Sequence, residues 1–173
     1  MTDTVLVTWA TRYGATEEVA ETVAATLRQS GLAVEARPMR DAKTVEPYSA
    51  VILGCALYMG RMHREARRFL AIHPSSLSAR PVAMFVLGPV HRDEKEWQGA
   101  RTQLTKELSR FPWLNPVALE VFGGRWDASK MGFPFGWLPG VRRMPVSDAR
   151  DWEAIRRWAE GLVPMLHSAP VGA

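Results

Sequence analysis

Hydroxyl-bearing side chains and one glycine are concentrated in a short loop near the start of the chain, Thr11 to Thr16. The loop follows an apolar, β-branched run at 5–9 and precedes an amphipathic stretch, so it is expected to join a strand to the N-terminus of a helix. The first N–H groups of a helix lack intrahelical partners and carry the positive end of its dipole. Gly14 permits a turn that a Cβ would oppose. The loop is therefore predicted to bind a phosphate group.

The spelling of this loop excludes two common nucleotide-binding motifs. It does not end in the Gly-Lys-Ser/Thr of a Walker loop. It has one glycine where the dinucleotide-binding fingerprint has three. An ordinary strand–helix turn with a chance Thr/Gly composition is the alternative to a hydroxyl-rich cradle for a monophosphate.

Apolar runs alternate with amphipathic stretches along the chain, which predicts βαβ units and a parallel sheet. The predicted strands are 5–9, 33–38, 50–54, 82–87 and 117–122. The predicted helices are 16–30, 62–73, 94–108 and one that starts near Asp148 and is disturbed by Pro164. We expect residues 1–173 to form a single α/β domain, a five-stranded parallel sheet of order 2-1-3-4-5 with helices on both faces. In that order the loops 9–16, 55–61 and 88–95 meet at the switch point between the first and third strands, where ligands bind.

Composition narrows the class of protein. The chain has 173 residues, of which 47% are apolar, so a disordered chain is excluded. The apolar runs around 50–59 and 81–90 are shorter than the ~20 residues that span a bilayer. No N-terminal signal segment is expected, because a strand begins by residue 5. A cytoplasmic location follows, either free or peripheral on the inner face of the membrane.

The formal net charge is +4, and two segments concentrate the excess. Residues 61–68 contain four Arg against Glu65, and residues 125–147 contain four basic residues against Asp127. Acidic partners are expected for both: an anionic lipid surface, an acidic protein face or a polycarboxylate such as a porphyrin. No nucleic acid is expected, since no recognised binding motif accompanies the charge.

Cysteine and histidine offer little chemistry. Cys55 is the only cysteine, and nothing beside it suggests an activated thiol, so it is interpreted as a small buried residue. His63, His73 and His167 lack the spacing of metal ligands, and no metal is inferred.

The segment Thr11-Arg-Tyr-Gly-Ala-Thr16 resembles the phosphate loop of the flavodoxin superfamily, which holds the monophosphate of FMN. Its Thr-Arg-x-Gly-x-Thr spelling is most similar to the menaquinone-dependent protoporphyrinogen dehydrogenases and their flavodoxin-domain relatives. The resemblance continues at 54–60, at 122–125 and in the closing helix that begins at 151–155. It implies a flavodoxin-like fold, FMN as the cofactor, and a site made of three loops.

The resemblance also implies the cofactor-binding residues. They are Thr11, Arg12, Tyr13, Gly14, Ala15 and Thr16 for the phosphate; Ala56, Leu57, Tyr58, Met59 and Gly60 along one edge of the ring; and Gly88, Pro89, Val90 and His91 over its other face.

Two of these assignments have alternatives. Family members often place an aromatic residue directly before the glycine at position 60, whereas this chain has Met59 there and Tyr58 one position earlier. Tyr58 is therefore either a stacking partner of the flavin or a half-buried tyrosine with its hydroxyl in water. His91 would place positive charge near the ring, or it is an exposed histidine in a charged loop.

The segment 123–147 contains five Gly and three Pro and cannot be one continuous helix. In the protoporphyrinogen branch this position carries a long basic and aromatic insertion linked to activity with porphyrin and quinone. Here the stretch 125–143 keeps Arg and aromatic residues but is shorter and richer in Gly and Pro. We expect it to contact the partner, a porphyrinogen or an anionic membrane, and to be dispensable for flavin binding. Alternatively its aromatic residues pack on the sheet edge and close the fold.

Three functions remain open. The first is an FMN-dependent oxidoreductase that resembles protoporphyrinogen dehydrogenase and uses a quinone-type acceptor. The second is a soluble flavodoxin-type electron carrier that works with a redox partner protein. The third is a flavodoxin-like binding module that no longer holds a flavin.

Overall fold

The computed structural model describes residues 3–167, so residues 1, 2 and 168–173 of the predicted domain lie outside it. The strands are β1 Thr4–Trp9, β2 Ala33–Pro38, β3 Ala50–Tyr58, β4 Arg61–Met62, β5 Val82–Leu87, β6 Ala118–Phe122, β7 Arg125–Trp126 and β8 Ser147–Asp148. The helices are α1 Ala15–Gln29, α2 Arg64–Ile72, α3 Pro74–Ser78, α4 Glu94–Leu108, α5 Pro139–Arg142 and α6 Trp152–His167. No helix in the described range is long and apolar enough to cross a membrane.

Five parallel strands form the main sheet in the order β2-β1-β3-β5-β6. Counted among these five, this is the predicted order 2-1-3-4-5, and the flavodoxin-like α/β fold is confirmed. Trp9 lies beside Gly54, and Gly54 lies beside Phe85, so one row crosses the three central strands near their carboxyl ends. The connections after β1, β3 and β5 therefore leave the sheet at the same edge.

Strand β3 continues four residues beyond the predicted end at Gly54, to Tyr58. Its extension pairs with the two residues of β4, so the predicted loop 55–61 is largely a β-hairpin. Met59 and Gly60 form its turn with φ angles of 49° and 79°. A two-residue turn with positive φ at both central positions matches the twist of a hairpin.

Capping side chains set the starts of α2 and α4. His63 Nδ1 accepts a hydrogen bond from the Glu65 N–H at 3.2 Å, so α2 begins at Arg64 and not at 62. Asp93 caps α4 in the same way, and α4 has the predicted bounds. The last helix begins at Trp152, later than predicted, and continues through Pro164, which is exposed.

Two apolar clusters cover the two faces of the sheet. One joins α1 and α6 to the sheet through residues such as Val23, Phe85 and Ile155. The other packs α2, α3 and α4 against the opposite face through residues such as Leu53 and Leu70. Burial of these faces fixes the sheet and hence the positions of the loops at its edge.

The segment after β6 is tied to α1 by buried charge. The Arg150 side chain is 3% exposed; it donates two hydrogen bonds to Asp148, of 2.7 and 2.8 Å, and one to Glu18 of α1. Arg125 lies 3.1 Å from Asp127 and 3.9 Å from Glu18. These contacts hold both ends of the segment 125–148 against the start of α1, next to the predicted phosphate loop.

Replacement of Gly54 by Ala is expected to lower the free energy of unfolding by about 1–3 kcal/mol, because overpacking a rigid core has this cost. A Cβ at position 54 would lie 2.2 Å from the ring of Phe85, which is fully buried. Chemical denaturation measures the change. Gly99→Ala is the control: it lies in the interior of α4 with nothing within 4 Å of the added Cβ, so it should stabilise the protein. Equal stability of the two variants would contradict the close packing at position 54.

Replacement of Arg150 by Gln is expected to lower the free energy of unfolding by about 2 kcal/mol at neutral pH. The loss is smaller than for a fully buried ion pair, because Glu18 and Asp148 are partly exposed to solvent. Its hydrogen bonds to Asp148 hold the pKa of that carboxyl below its ordinary value. This contribution is present above the pKa of an unfolded Asp, about 4, and is lost as the pH falls through the lower folded pKa.

Denaturant titrations of wild type and variant between pH 7 and pH 3 test this prediction. The difference between the two proteins should shrink at the acid end. Arg157→Gln removes an exposed pair with Glu153 on one helix and should change stability by only about 0.5 kcal/mol or less. A pH-independent difference would show that Arg150 stabilises the fold by packing alone.

Candidate functional site

A cavity of about 730 Å³ opens at the carboxyl ends of β1, β3 and β5. Its wall is formed by Thr11, Arg12, Tyr13, Ala15, Thr16, Ala56, Leu57, Tyr58, Met59, Arg61, Met62, His63, Arg64, Arg67, Leu87, Gly88, Val90, Gly124, Arg125 and Trp126. The volume lies within the range of small-molecule and cofactor sites. The three loops that the sequence placed at the switch point thus converge on one cavity.

The first loop presents backbone N–H groups to the cavity. Gly14 has φ 89°, and its N–H donates to the Thr11 hydroxyl at 2.9 Å, which closes the turn. No side chain caps the start of α1. The N–H groups of its first turn therefore have no partner within the helix and can donate to a ligand. Thr16, in this first turn, is buried and lines the cavity. Gly14 itself shapes the turn and is absent from the wall.

The second loop is the hairpin of β3 and β4. Ala56, Leu57, Tyr58 and Met59 line the cavity, whereas Gly60 occupies the turn. The guanidinium of Arg12 lies 5.5 Å from the centre of the Tyr58 ring and joins the first two loops. Tyr58 lies at the exposed rim, where its ring remains available for stacking.

A buried carboxylate of α4 binds this hairpin. Glu107 of α4 accepts a hydrogen bond from the Met62 N–H at 3.1 Å and pairs with Arg110 at 3.2 Å. Its side chain is almost fully buried. The hairpin is therefore attached to α4 as well as to the sheet.

The third loop enters the cavity through Gly88 and Val90 only. Glu96 of α4 accepts a hydrogen bond from the Val90 N–H at 2.8 Å, and its other oxygen lies 3.2 Å from His91 Nδ1. The histidine is directed at this carboxylate and is absent from the cavity wall, as is Pro89. Glu96 thus holds the His91 side chain away from the cavity, and a contact of His91 with a bound ring stays a prediction.

Two groups of wall residues, and Leu87 at the end of β5, were not among the predicted site residues. The first is Arg61, Met62, His63, Arg64 and Arg67, from the hairpin and the first turns of α2. The second is Gly124, Arg125 and Trp126, from the start of the segment after β6. The basic run at 61–68 was the only signal in the sequence for the first group. Residues 125 and 126 therefore line the cavity, whereas the sequence predicted that all of 125–143 contacts the partner and is dispensable for flavin binding.

Titratable groups near the cavity are shifted by burial. Burial lowers the pKa of His63, and the positive charges of Arg12 and Arg67 lower it further against the opposing effect of Glu65. Burial raises the pKa of Cys55 to about 12, with a smaller contribution from Glu107, so this thiol is the inert, buried residue expected from the sequence. Residues 3–167 contain no cluster of three or more His, Cys, Asp or Glu that would hold a metal ion.

The wall fits the flavin mononucleotide that the loop spelling implies. The uncapped start of α1 supplies donors for a phosphate. The indole Nε1 of Trp126 is buried and has no hydrogen-bond partner among the described residues, so it can donate to a polar atom of a ligand. Apolar and aromatic side chains at 57, 58 and 126 provide surface for a flat ring. When FMN is bound it supplies electron transfer, and the protein supplies binding and orientation.

Comparison with known proteins agrees with this geometry. Residues 6–134, about three quarters of the chain, match the family model of the flavodoxin domain. Comparison with the curated proteins finds no match.

Solved structures share the fold at low sequence identity. Oxidised flavodoxin 1 from Bacillus cereus has a TM-score of 0.59 at 17% identity, over 96% of this chain and 99% of that chain. The flavodoxin from Streptococcus pneumonia has a TM-score of 0.61 at 16% identity, over 94% of this chain and 99% of that chain. Rubredoxin oxygen:oxidoreductase from Desulfovibrio gigas has a TM-score of 0.56 at 15% identity over 95% of this chain, but this chain spans only 36% of it.

The strand order and the meeting of the three loops at the switch point agree with the family match over 6–134. A flavodoxin domain implies flavin mononucleotide as the cofactor. The chain therefore belongs to the flavodoxin family.

Proposed function

We propose that this protein is an FMN-dependent oxidoreductase that resembles the menaquinone-dependent protoporphyrinogen dehydrogenases and uses a quinone-type acceptor. The observation that carries the proposal is an exposed aromatic and basic surface next to the flavin cavity. This surface is the outer loop, residues 133–146.

The outer loop is unusually apolar for a solvent-facing segment. Phe133 is 83% exposed, Trp137 71% and Phe135 58%, and the rings of Phe133 and Trp137 contact each other edge to face. Leu138, Met144 and Val146 are also exposed. Contiguous apolar groups of this kind mark a surface that binds a partner or a membrane.

Charge favours an anionic partner for this surface. Arg142 and Arg143 lie among the exposed apolar residues. Aromatic and basic side chains together are typical of peripheral contact with an anionic leaflet, and they also suit a porphyrinogen with its carboxylates. We therefore place the protein in the cytoplasm, peripheral on the inner membrane face, where a quinone in the bilayer can reach the flavin.

The inner part of the same segment connects the outer loop to the cavity. The Ser147 hydroxyl donates to the Val90 carbonyl of the third loop, and the Ala149 N–H donates to the Gly124 carbonyl at 3.0 Å. A partner held by the outer loop is thus next to the cavity rim. FMN, held by the loop Thr11–Thr16 and the hairpin Ala56–Gly60, would supply the electron transfer between the porphyrinogen and the quinone.

We propose that the predicted residues act on FMN in three groups. The phosphate is held by the loop Thr11–Thr16. The ring is bordered by the hairpin residues Ala56 to Gly60 and covered by Gly88 to Val90. Arg12 and Tyr58, which already contact each other at the rim, are the candidates for closing over the ring.

The second candidate function is a flavodoxin-type electron carrier that works with a redox partner protein. Its support is the fold shared with single-domain flavodoxins over nearly their whole length. The basic wall of the cavity and the exposed outer loop favour the first candidate. Fast exchange with a ferredoxin-type reductase, together with no porphyrinogen or quinone turnover, would select the carrier.

Thr16→Ala is expected to weaken FMN binding by about 1–2 kcal/mol, because it removes a hydrogen bond to a charged acceptor. Titration of the flavin-free protein with FMN, followed by flavin fluorescence, measures the change. Thr16→Ser keeps the hydroxyl and should bind almost as well as the wild type. Unchanged affinity in the alanine variant would place the phosphate elsewhere, and recovery of FAD from denatured protein would contradict a monophosphate cradle.

The triple change of Trp137→Ala, Arg142→Ser and Arg143→Ser is expected to keep FMN, because none of these residues lines the flavin cavity. It should weaken binding to phosphatidylserine vesicles by about tenfold or more, since each basic side chain near an anionic surface is worth about 1 kcal/mol. The vesicle effect should fade as salt rises, because screening acts beyond about 8 Å at physiological ionic strength.

Porphyrinogen oxidation with and without a quinone, in the presence of the same vesicles, then tests the activity. The triple variant should lose turnover with the quinone in vesicles. Lys106→Ser with Arg156→Ser removes the same charge from exposed positions elsewhere and should behave as the wild type. Absence of turnover in the FMN-loaded wild type would refute the proposed activity, and loss of FMN or of the thermal transition in the triple variant would make the outer loop part of the fold.

A further inference from the structure

The wall of the flavin cavity contains five arginines and no carboxylate. They are Arg12, Arg61, Arg64, Arg67 and Arg125. Arg125 is compensated, because it pairs with Asp127 and Glu18. Within residues 3–167 the other four make no ion pair with an acidic group within 4 Å.

These unpaired charges converge on one side of the cavity. Arg64 and Arg67 are three residues apart at the start of α2 and therefore share a face of that helix. Arg61 is adjacent on the hairpin strand β4. His63 lies between them. Burial lowers its pKa, Glu65 opposes this shift, and the charges of Arg12 and Arg67 lower the pKa further, so both guanidinium groups act on the same point.

Arg67 is the least exposed of the three and is not satisfied by the protein. Its Nε is buried and has no hydrogen-bond partner among the described residues. Glu65, the one acidic residue in the first turn of α2, does not compensate it: its Oε1 is also buried without a partner, and it makes no ion pair within 4 Å of a described basic group. Partial burial of a charge without a partner costs free energy. A bound anion at this wall would offset that cost.

The phosphate of FMN accounts for only part of this charge. A phosphate monoester carries about −1.5 to −2 at neutral pH. It is expected at the loop 11–16, which contains Arg12. Three guanidinium groups on the α2 side, those of Arg61, Arg64 and Arg67, then remain without an ion-pair partner among the described residues.

We propose that Arg61, Arg64 and Arg67 form a second anion-binding subsite in the flavin cavity, which takes a small molecule with a doubly charged phosphate or a pair of carboxylates. The inference rests on the proposed binding of FMN in this cavity and names the chemical class of the co-substrate that enters beside it. A protein surface carboxylate can reach exposed Arg61 and Arg64 at the rim. It is a poorer match for half-buried Arg67, which favours a small anion that enters the cavity.

The experiment titrates FMN-saturated protein with inorganic pyrophosphate and, separately, with citrate at constant ionic strength. Isothermal calorimetry gives the stoichiometry, and the flavin absorption spectrum reports whether FMN stays bound. We expect one anion per protein with FMN retained, and the tighter of the two probes identifies the phosphate or the carboxylate class. The variant Arg64→Gln with Arg67→Gln should bind that probe at least about tenfold more weakly, because hydrogen bonds to charged groups are lost.

Lys106→Gln with Arg156→Gln is the matched control, since it removes the same charge from exposed positions outside the cavity. It should bind pyrophosphate and citrate as the wild type does. Equal weakening in both double variants would reduce the effect to net charge and overturn the subsite. If the α2 variant does not fold, Arg61→Gln on the exposed hairpin replaces it with the same expected direction.

Further outcomes separate this inference from the proposed function. Displacement of FMN by pyrophosphate, or loss of FMN in the α2 variant, would assign these arginines to the flavin phosphate and overturn a second subsite. Binding of a poly-glutamate peptide without binding of either small anion would assign them to an acidic protein and also overturn it. If the protein holds no FMN at all, the proposed function fails, and the same titration of the flavin-free variants still decides whether the α2 arginines bind an anion.

Discussion

The cavity depends on the close pairing of β3 with β1 on one side and β5 on the other. Trp9, Gly54 and Phe85 form one row across these strands, and the ring of Phe85 occupies the space that a side chain at position 54 would need. Phe85 also contacts Phe122 of β6 and Trp158 of α6. The row therefore fixes four strands and the last helix relative to one another. Loops that leave so constrained an edge need little ordering when a ligand enters, which is how a rigid sheet favours binding.

Most of the fold could be predicted from the sequence because the decisive signals are local. The bounds of β2 follow from a short alternating pattern, those of β5 from an apolar run and those of α4 from its amphipathic pattern. The end of β3 could not be predicted, because its last residues leave the main sheet and pair only with a two-residue strand. Nothing local indicates that Met59 adopts a positive φ, a conformation that residues other than glycine rarely take. The turn is set by the hairpin and by its attachment to Glu107, both of which are tertiary.

The candidate site was predictable where one loop supplies it and not where distant elements do. The residue types of the Thr11–Thr16 loop by themselves predict phosphate binding. The contribution of Arg64 and Arg67 depends on which face of α2 meets the hairpin, and that of Trp126 on the ion pairs that hold the segment after β6 to α1. His91 shows the reverse case, in which a residue at the right sequence position is withdrawn by a carboxylate five positions later. Side-chain direction at the rim is decided by such competition, which sequence position alone does not contain.

The source of positive charge at the cavity determines how the site responds to pH. Arginines supply it, and a guanidinium stays protonated throughout the physiological range. These charges destabilise the start of α2, because α2 begins with Arg64 and its N-terminus already carries the positive end of the helix dipole. This permanent positive charge destabilises the empty cavity. It stabilises any bound group that carries or gains negative charge, such as a phosphate or a reduced flavin ring. The uncompensated charge at the start of α2 is thereby linked to the chemistry that the flavin supplies.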